Sequence, residues 1–366
     1  MSKRHEQAQE ILMHTFLLAI LTAAITVWGL LALYKSLALG GSWEHFLCRQ
    51  SIWVLSAWVI FFLLCQVKFS TLYKWIFLLT GIGAASLLFL PLFGLQVNGM
   101  NGWYELGSLT VQPSEITKAL YILTLVRIMN SDDWSELARF TAACAVVGVF
   151  GILLLLQPDL GTTAVYLAGG VATLYFCRAK IKYLLFSGAA ALLAAAAAIL
   201  IHPYMRSRLI NFFDPAMDPA GGGWHSRQFA IAVARGEWFG VKSDMAVWSN
   251  SFLPLSHNDS IFAGMCEMLG FCGALVLLML YTAWFYQMYA LSYWRHNALR
   301  RMVINSMACM ILMQTFLHIL VNLGLLPPTG VTLPLVSYGG SSAVGTMIML
   351  AIIISAGSSR KPQTLQ

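Results

Sequence analysis

From Met302 to Ser359 the chain carries no Asp, Glu, Lys or Arg, and the stretch is too long for one membrane helix of about 20 residues. It must therefore cross a membrane twice. Its interior, residues 327–342, holds Pro327, Pro328 and Pro334, Gly330, Gly339 and Gly340, with Thr329, Thr332, Ser337 and Ser341 between them. Backbone of this composition does not stay helical, and non-helical backbone survives at membrane depth only where it is buried in protein or lines a wet cavity. The residues alone thus predict a polar pocket around 327–342.

The rest of the chain repeats the apolar pattern. Uncharged runs predict ten spans, at 12–34, 50–67, 74–95, 113–129, 139–157, 160–177, 182–201, 261–290, 301–323 and 334–357. With 59% hydrophobic and 10% charged residues and a mean hydropathy of +0.73, the chain lies outside soluble-globular usage. The first run, Ile11 to Tyr34, is long enough to span and lacks a small-residue cleavage site, so it reads as a span and not as a cleaved signal. The expected fold class is an all-α polytopic membrane protein in a single domain, 1–366, of about ten transmembrane helices.

The net charge of +7 does not indicate a nucleic-acid partner, because the basic residues fall in short clusters between apolar runs. Lys3 and Arg4, Lys68 and Lys74, Arg127 and Arg139, Arg178, Lys180 and Lys182, Arg295, Arg300 and Arg301, and Arg360 and Lys361 all come to one side when the spans are threaded alternately. By the positive-inside rule that side, with both termini, is cytoplasmic. The outward connections are then residues 35–49, 96–112, 157–159, 202–260 and 324–333, of which 202–260 is the one long extracytoplasmic loop. Seven cysteines show no metal or framework spacing and read as small apolar residues.

The chemistry-bearing residues lie on or beside these outer connections. Asp259 stands where the long loop meets the eighth span. A carboxylate there is either the cap of the helix beginning at Ile261, a role open equally to Asn258 or Ser260, or a functional group. Glu115 and Lys118 are three apart on one face of the fourth span, consistent with an intrahelical salt bridge, with phosphate binding by Lys118, or with both. Arg49 and Gln50 open the second span, where the arginine could simply snorkel to the interface. Asp159 follows the turn-forming Pro158 and reads as the cap of the sixth span. His318 reads as a packed, hydrogen-bonding residue. The long loop sets five cations against five acids and adds Trp224, Phe229, Trp238, Phe239 and Trp248. Such a loop is either a salt-bridged unit or a binder of an anionic ligand with sugar rings to stack.

Five segments in one order resemble the SEDS family of polytopic proteins, the RodA/FtsW/SpoVE group. They are NGMNGWYELGSLTVQPSEITK (98–118), QPDLGT (157–162), DPAMDPAGGGWHSRQ (214–228), SFLPLSHNDSIFAGMCEMLGFCG (251–273) and LPPTGVTLPLVSYGGSS (326–342). The resemblance implies a peptidoglycan glycosyltransferase that polymerises lipid II, an undecaprenyl-pyrophosphate-linked disaccharide pentapeptide, at the outer face of the bacterial cytoplasmic (inner) membrane. It implies Asp259 as the catalytic residue. Substrate contacts are implied at Arg49, Gln50, Trp103, Gln112, Glu115 and Lys118, and at Gln228, His257, Thr329, Ser337, Tyr338, Gly339, Gly340 and Ser341. It also implies a class B penicillin-binding protein as partner, with other elongation or division proteins. One departure stands out: the family's basic pair before the tryptophan is replaced by Asn101 and Gly102, so the cation for a pyrophosphate must come from elsewhere.

No resident cofactor is expected. A divalent cation, Mg or Mn, could accompany the pyrophosphate, but no ligand cluster in the sequence demands one. Two other classes of function fit outer-face motifs around a polar cavity. A lipid II flippase predicts inverted repeats with paired broken helices, whereas the breaks near Pro158 and Pro328 share no sequence similarity. A non-catalytic scaffold of a cell-wall complex is the other.

Overall fold

The apolar runs become long helices in the computed structural model, which describes residues 3–37, 43–97, 100–107, 109–201, 203–214, 222–242, 246, 248–253 and 257–357. In chain order these are α1 (Lys3–Leu37), α2 (Trp43–Gln66), α3 (Phe69–Leu88), the single turn α4 (Leu90–Phe93), α5 (Pro113–Met129), α6 (Glu136–Leu155) and α7 (Leu160–Phe176). They continue with α8 (Ile181–Ile201), α9 (Pro203–Phe213), α10 (Gly222–Arg235), α11 (Ile261–Tyr293), α12 (Ala298–Asn322) and α13 (Gly340–Gly357). The helix starts follow local chemistry. Pro113 occupies the first turn of α5, and Ser135 and Asn297 cap α6 and α12 by accepting from Ala138 N and Arg300 N.

Ten of these helices stand where ten spans are expected. Seven of them, α1, α2, α3, α6, α11, α12 and α13, are long and apolar enough to cross a membrane. The other three positions hold α5 and α7, of 17 residues each, and the apolar, alanine-rich α8, and their crossing rests on the sequence pattern.

The structure departs from expectation at three places. The connection 96–112 is not merely a polar loop: it contains an antiparallel three-stranded sheet, β1 (Leu95–Val97), β2 (Met100–Leu106) and β3 (Leu109–Val111), so the protein is not purely α-helical. Alternation of short polar and apolar residues about Gly107, at φ +66, permits the hairpin between β2 and β3. The second span begins at Trp43, so Arg49 and Gln50 sit two turns inside α2 rather than at its opening. The last helix begins at Gly340, not at 334, because the Pro334 segment remains irregular as far as Gly339. The long loop carries α9, α10 and a π-helical turn, Trp248–Phe252.

The exposed surface of α1, α2, α3 and α8 is apolar (Leu12, Phe16, Leu55, Phe62, Leu78, Leu192, Leu193), as a lipid-facing ring requires. α5 lies at the centre, packed against α3, α6, α7, α12 and α13, and buries nearly its whole length, including Glu115 and Lys118. Two charges at the middle of an apolar bundle are costly unless paired. Their placement on the most enclosed helix marks where the polar interior begins.

A candidate active site at the outer ends of α5, α7, α11 and α12

Lys118 is 1% exposed and donates from Nζ to Glu115 Oε1 at 2.7 Å and to Gln314 Oε1, also at 2.7 Å. The salt bridge expected from the spacing is present, and Gln314 of α12 extends it. Gln314 Nε2 in turn donates to the carbonyl of Thr332 at 3.1 Å and to its hydroxyl at 3.2 Å, while Thr332 Oγ1 donates to Ser342 Oγ at 2.7 Å. The buried ion pair is thereby wired to the irregular segment 327–339.

That segment touches every other part of the site. Gly161, at the start of α7, is so close to it that a Cβ there would lie 2.6 Å from the Thr329 carbonyl. Asp159 caps α7 by accepting from Thr162 N at 2.9 Å, as its position predicts, and Gln112 Nε2 reaches its Oδ2 at 3.5 Å. Val331 O is bonded to His318 Nδ1 at 2.6 Å, the packed role expected of that histidine. Asp259 Oδ2 faces Gly330, 3.6 Å from where a Cβ on that residue would stand. Residues 329–332 are thus approached by the Asp259 carboxylate at Gly330, by the start of α7 at Thr329 and Val331, and through Gln314 by Lys118 at Thr332.

The cap reading of Asp259 and Asn258 does not hold, because the N-cap position of α11 falls at Ser260, which makes no side-chain cap bond. Asn322 supplies the cap from α12 instead: its Oδ1 accepts from Ala263 N at 3.0 Å and its Nδ2 donates to Asp259 O at 2.9 Å. The turn before α11 is held on its other side by the signature segment, with Ser337 Oγ donating to Asn258 O and Tyr338 N to His257 O, both at 2.8 Å. The backbone around Asp259 is thus fixed by neighbours.

Several expected contact residues are part of this scaffold. Gln50, 2% exposed, donates to Ser337 O at 3.2 Å and accepts from Gly339 N at 3.1 Å. Gly340 packs against the Trp53 ring, and Ser341 Oγ accepts from Gln112 N at 2.9 Å. Gln228 accepts from Trp248 Nε1 at 2.6 Å within the long loop. Trp103 is half-buried on β2 opposite Leu95, and Arg49 is exposed on α2. Thr329 Oγ1 is buried with no hydrogen-bond partner among the described residues. Residues 254–256 of the sequence motif lie outside the described residues, as do residues 215–221.

Sequence reasoning passes over Gln314 and Asn322, and gives Glu267 no role beyond its place in the 251–273 segment. A signal for the first two exists: Gln314, His318 and Asn322 recur every fourth residue along a span without charge, which places three polar side chains on one helical face.

His257 packs against Phe46, with ring centroids 4.6 Å apart and tilted, and edge-on against Tyr338, at 5.5 Å. Burial among these rings holds its imidazole below the ordinary 6.5, so the folded protein prefers the neutral ring. The unfolded chain then binds the proton more readily. This contribution to stability is full above pH 6.5 and is lost as the pH falls from there towards the lowered value. Thermal unfolding in detergent between about pH 8 and pH 5 should show this loss, and His257→Gln should remove that part of it; an unchanged pH dependence in the variant would contradict the assignment.

These observations define a class: a polytopic membrane protein with a polar site at one end of its bundle, in which an acidic turn and a buried, paired lysine both connect to one irregular segment. The family model described as cell cycle protein, of the FtsW/RodA/SpoVE type, matches residues 9–362. The chain belongs to that family, and it is a multi-pass protein of the bacterial inner membrane. Among curated relatives it is 31% identical over 321 residues, 86% of this chain and 83% of the other, to a probable peptidoglycan glycosyltransferase FtsW of Nitrosococcus halophilus. It is 36% identical over 292 residues, covering 77% and 76%, to the protein of the same name from Tolumonas auensis. Its fold is similar, with a TM-score of 0.80 and 28% identity over 93% of this chain and 96% of the other, to a chain solved in work on polymerization and crosslinking by a peptidoglycan synthase complex. It is also similar to the rod shape determining protein RodA of Thermus thermophilus, with a TM-score of 0.71 and 24% identity over 93% and 95%.

Proposed function

We propose that this protein is a peptidoglycan glycosyltransferase that polymerises lipid II at the outer face of the inner membrane, with Asp259 as the base. The observation that carries the reading is the meeting of Asp259, at Gly330, and the Lys118–Gln314 pair, at Thr332, on one short irregular segment. The names of the relatives agree with it.

The acceptor's 4-hydroxyl is a weak nucleophile, and a carboxylate within hydrogen-bond reach takes its proton as it attacks the anomeric carbon of the donor. The start of α11 favours the ionised form of Asp259 through the helix dipole. The lipid pyrophosphate leaves with the bonding electrons, and cations stabilise the charge that develops on it. Lys118, joined to the segment through Gln314, is one candidate cation, and Arg49 on α2 and arginines of the long loop are the others. Attack from the face opposite the leaving group inverts the anomeric centre.

Gln50, Ser337 and Ser341 serve this chemistry by holding the segment in place. Thr329 Oγ1, buried and without a described partner, offers a substrate hydroxyl or phosphate a bond. A Mg or Mn ion would take its ligands chiefly from the phosphates, since among the described residues no three His, Cys, Asp or Glu side chains converge. The transpeptidase partner of this reading is a class B penicillin-binding protein, within an elongation or division complex, and the chain acts as a single domain over 1–366. The test is incubation of the purified, reconstituted protein with lipid II alone, where glycan chains are the expected product.

A further inference from the structure

α11 is one helix by length but two by backbone. Gly270 has φ +64 and ψ −170, a conformation open essentially to glycine alone, and it separates an outer piece, residues 261–269, from the rest. The break leaves backbone groups without helical partners, and the segment after α10 supplies them. Phe271 N donates to Glu237 O at 2.9 Å, Cys272 N donates to Trp238 O at 3.0 Å, and Val241 N donates to Glu267 O at 2.9 Å. The fit is backbone against backbone, because a Cβ on Gly270 would lie 2.4 Å from Gly240 N and 2.5 Å from Phe239 N.

One buried carboxylate closes this lock. Glu267 is 0% exposed, and it accepts from Arg235 Nε at 3.0 Å, Trp248 N at 3.3 Å and Ser249 N at 2.6 Å. Arg235 also stacks over the Trp248 ring at 5.1 Å. Glu267 thus joins the end of α10 and the π-helical turn to the inner end of the outer piece. The outer end of that piece is held by Asn322 through Ala263 N. Because the helical ladder is interrupted at Gly270, these two attachments, together with the bonds of Ser337 and Tyr338 to the turn before α11, set the direction of the piece that carries Asp259 at its tip.

We propose that Glu267 is a positioning residue for Asp259. Without its charge the piece pivots about Asn322 and the carboxylate is re-aimed relative to residues 329–332. The proposal rests on the catalytic reading of Asp259 above. Glu267→Gln is the informative change, since it keeps the shape but turns an amide NH2 towards groups that are themselves donors.

The test uses the full chain reconstituted in liposomes, with turnover referred to folded protein. Glu267→Gln should lower kcat about 10-fold or more while KM for lipid II stays within about 3-fold, as misplacement of a reacting group does. Glu267→Asp, which keeps the charge, should recover part of the loss. In an Asp259→Asn background, Glu267→Gln should add no further loss, because the residue it positions is already removed. Hydrogen exchange on the same samples should be faster at residues 261–264 and 271–272 in Glu267→Gln than in the parent.

Wild-type kcat in Glu267→Gln overturns the proposal, as does an equal loss in the presence and absence of Asp259. If the parent makes no glycan, the catalytic reading fails instead. The exchange measurement then still decides the positioning claim, and unchanged exchange at 261–264 overturns it.

Discussion

Asp259→Asn protein will insert and fold at normal abundance, bind lipid II, and polymerise it about 100-fold more slowly or worse, the loss expected on removing a general base. The fold should survive because asparagine keeps the size of the side chain and the start of α11 is held from α12. The cap position of α11 is Ser260, and the amide of Ala263 is satisfied by Asn322. Substrate binding should survive because the proposed base acts on the proton in the transition state and is not itself a ligand of the pyrophosphate in this reading. Polymerisation near the wild-type rate by well-folded Asp259→Asn protein would remove Asp259 from the chemistry.

The second large effect is on folding. Lys118 and Glu115 form an ion pair with 1% and 5% side-chain exposure, and removing either partner leaves the other charge uncompensated, a loss on the order of 3 to 5 kcal/mol for a buried pair. Glu115→Gln with Lys118→Met removes both charges together. The double variant should therefore yield more folded protein than the two single losses would give in sum, read as monodisperse membrane-extracted protein by size-exclusion chromatography. Simple additivity would contradict the coupling and leave Lys118 as a ligand-binding cation alone. Activity should be low in every variant that lacks Lys118, because the same ammonium organises Gln314 and through it Thr332.

What the sequence makes legible here follows from how local each signal is. The start of α5 at Pro113, the Asp159 cap and the Glu115–Lys118 pair depend on residues within one turn of each other, and all three appear as expected. The irregular, polar character of 327–342 is legible because a charge-free span cannot absorb so many prolines and glycines as helix. Asp259 reads as a possible cap because its rival, Asn322, comes from a different helix. The strands at 95–111 are hidden for a related reason: they are three to seven residues long, and pairing between neighbours, not periodicity, makes them a sheet. The break at Gly270 is invisible because nothing in the sequence sets it apart from Gly264 and Gly273 in the same apolar run, and only the docking of 236–241 gives it a partner.

The measurement that tests the central claim most directly is made with purified wild-type protein in liposomes carrying fluorescent lipid II, alone and with its transpeptidase partner. Glycan length and transfer of lipid II between leaflets are read in parallel. The account predicts glycan chains from the protein alone, more of them with the partner present, and fewer by about 100-fold or more from Asp259→Asn protein. Movement of lipid II across the bilayer by wild-type protein, with no glycan made in either condition, would contradict the account and leave the protein as a lipid transporter.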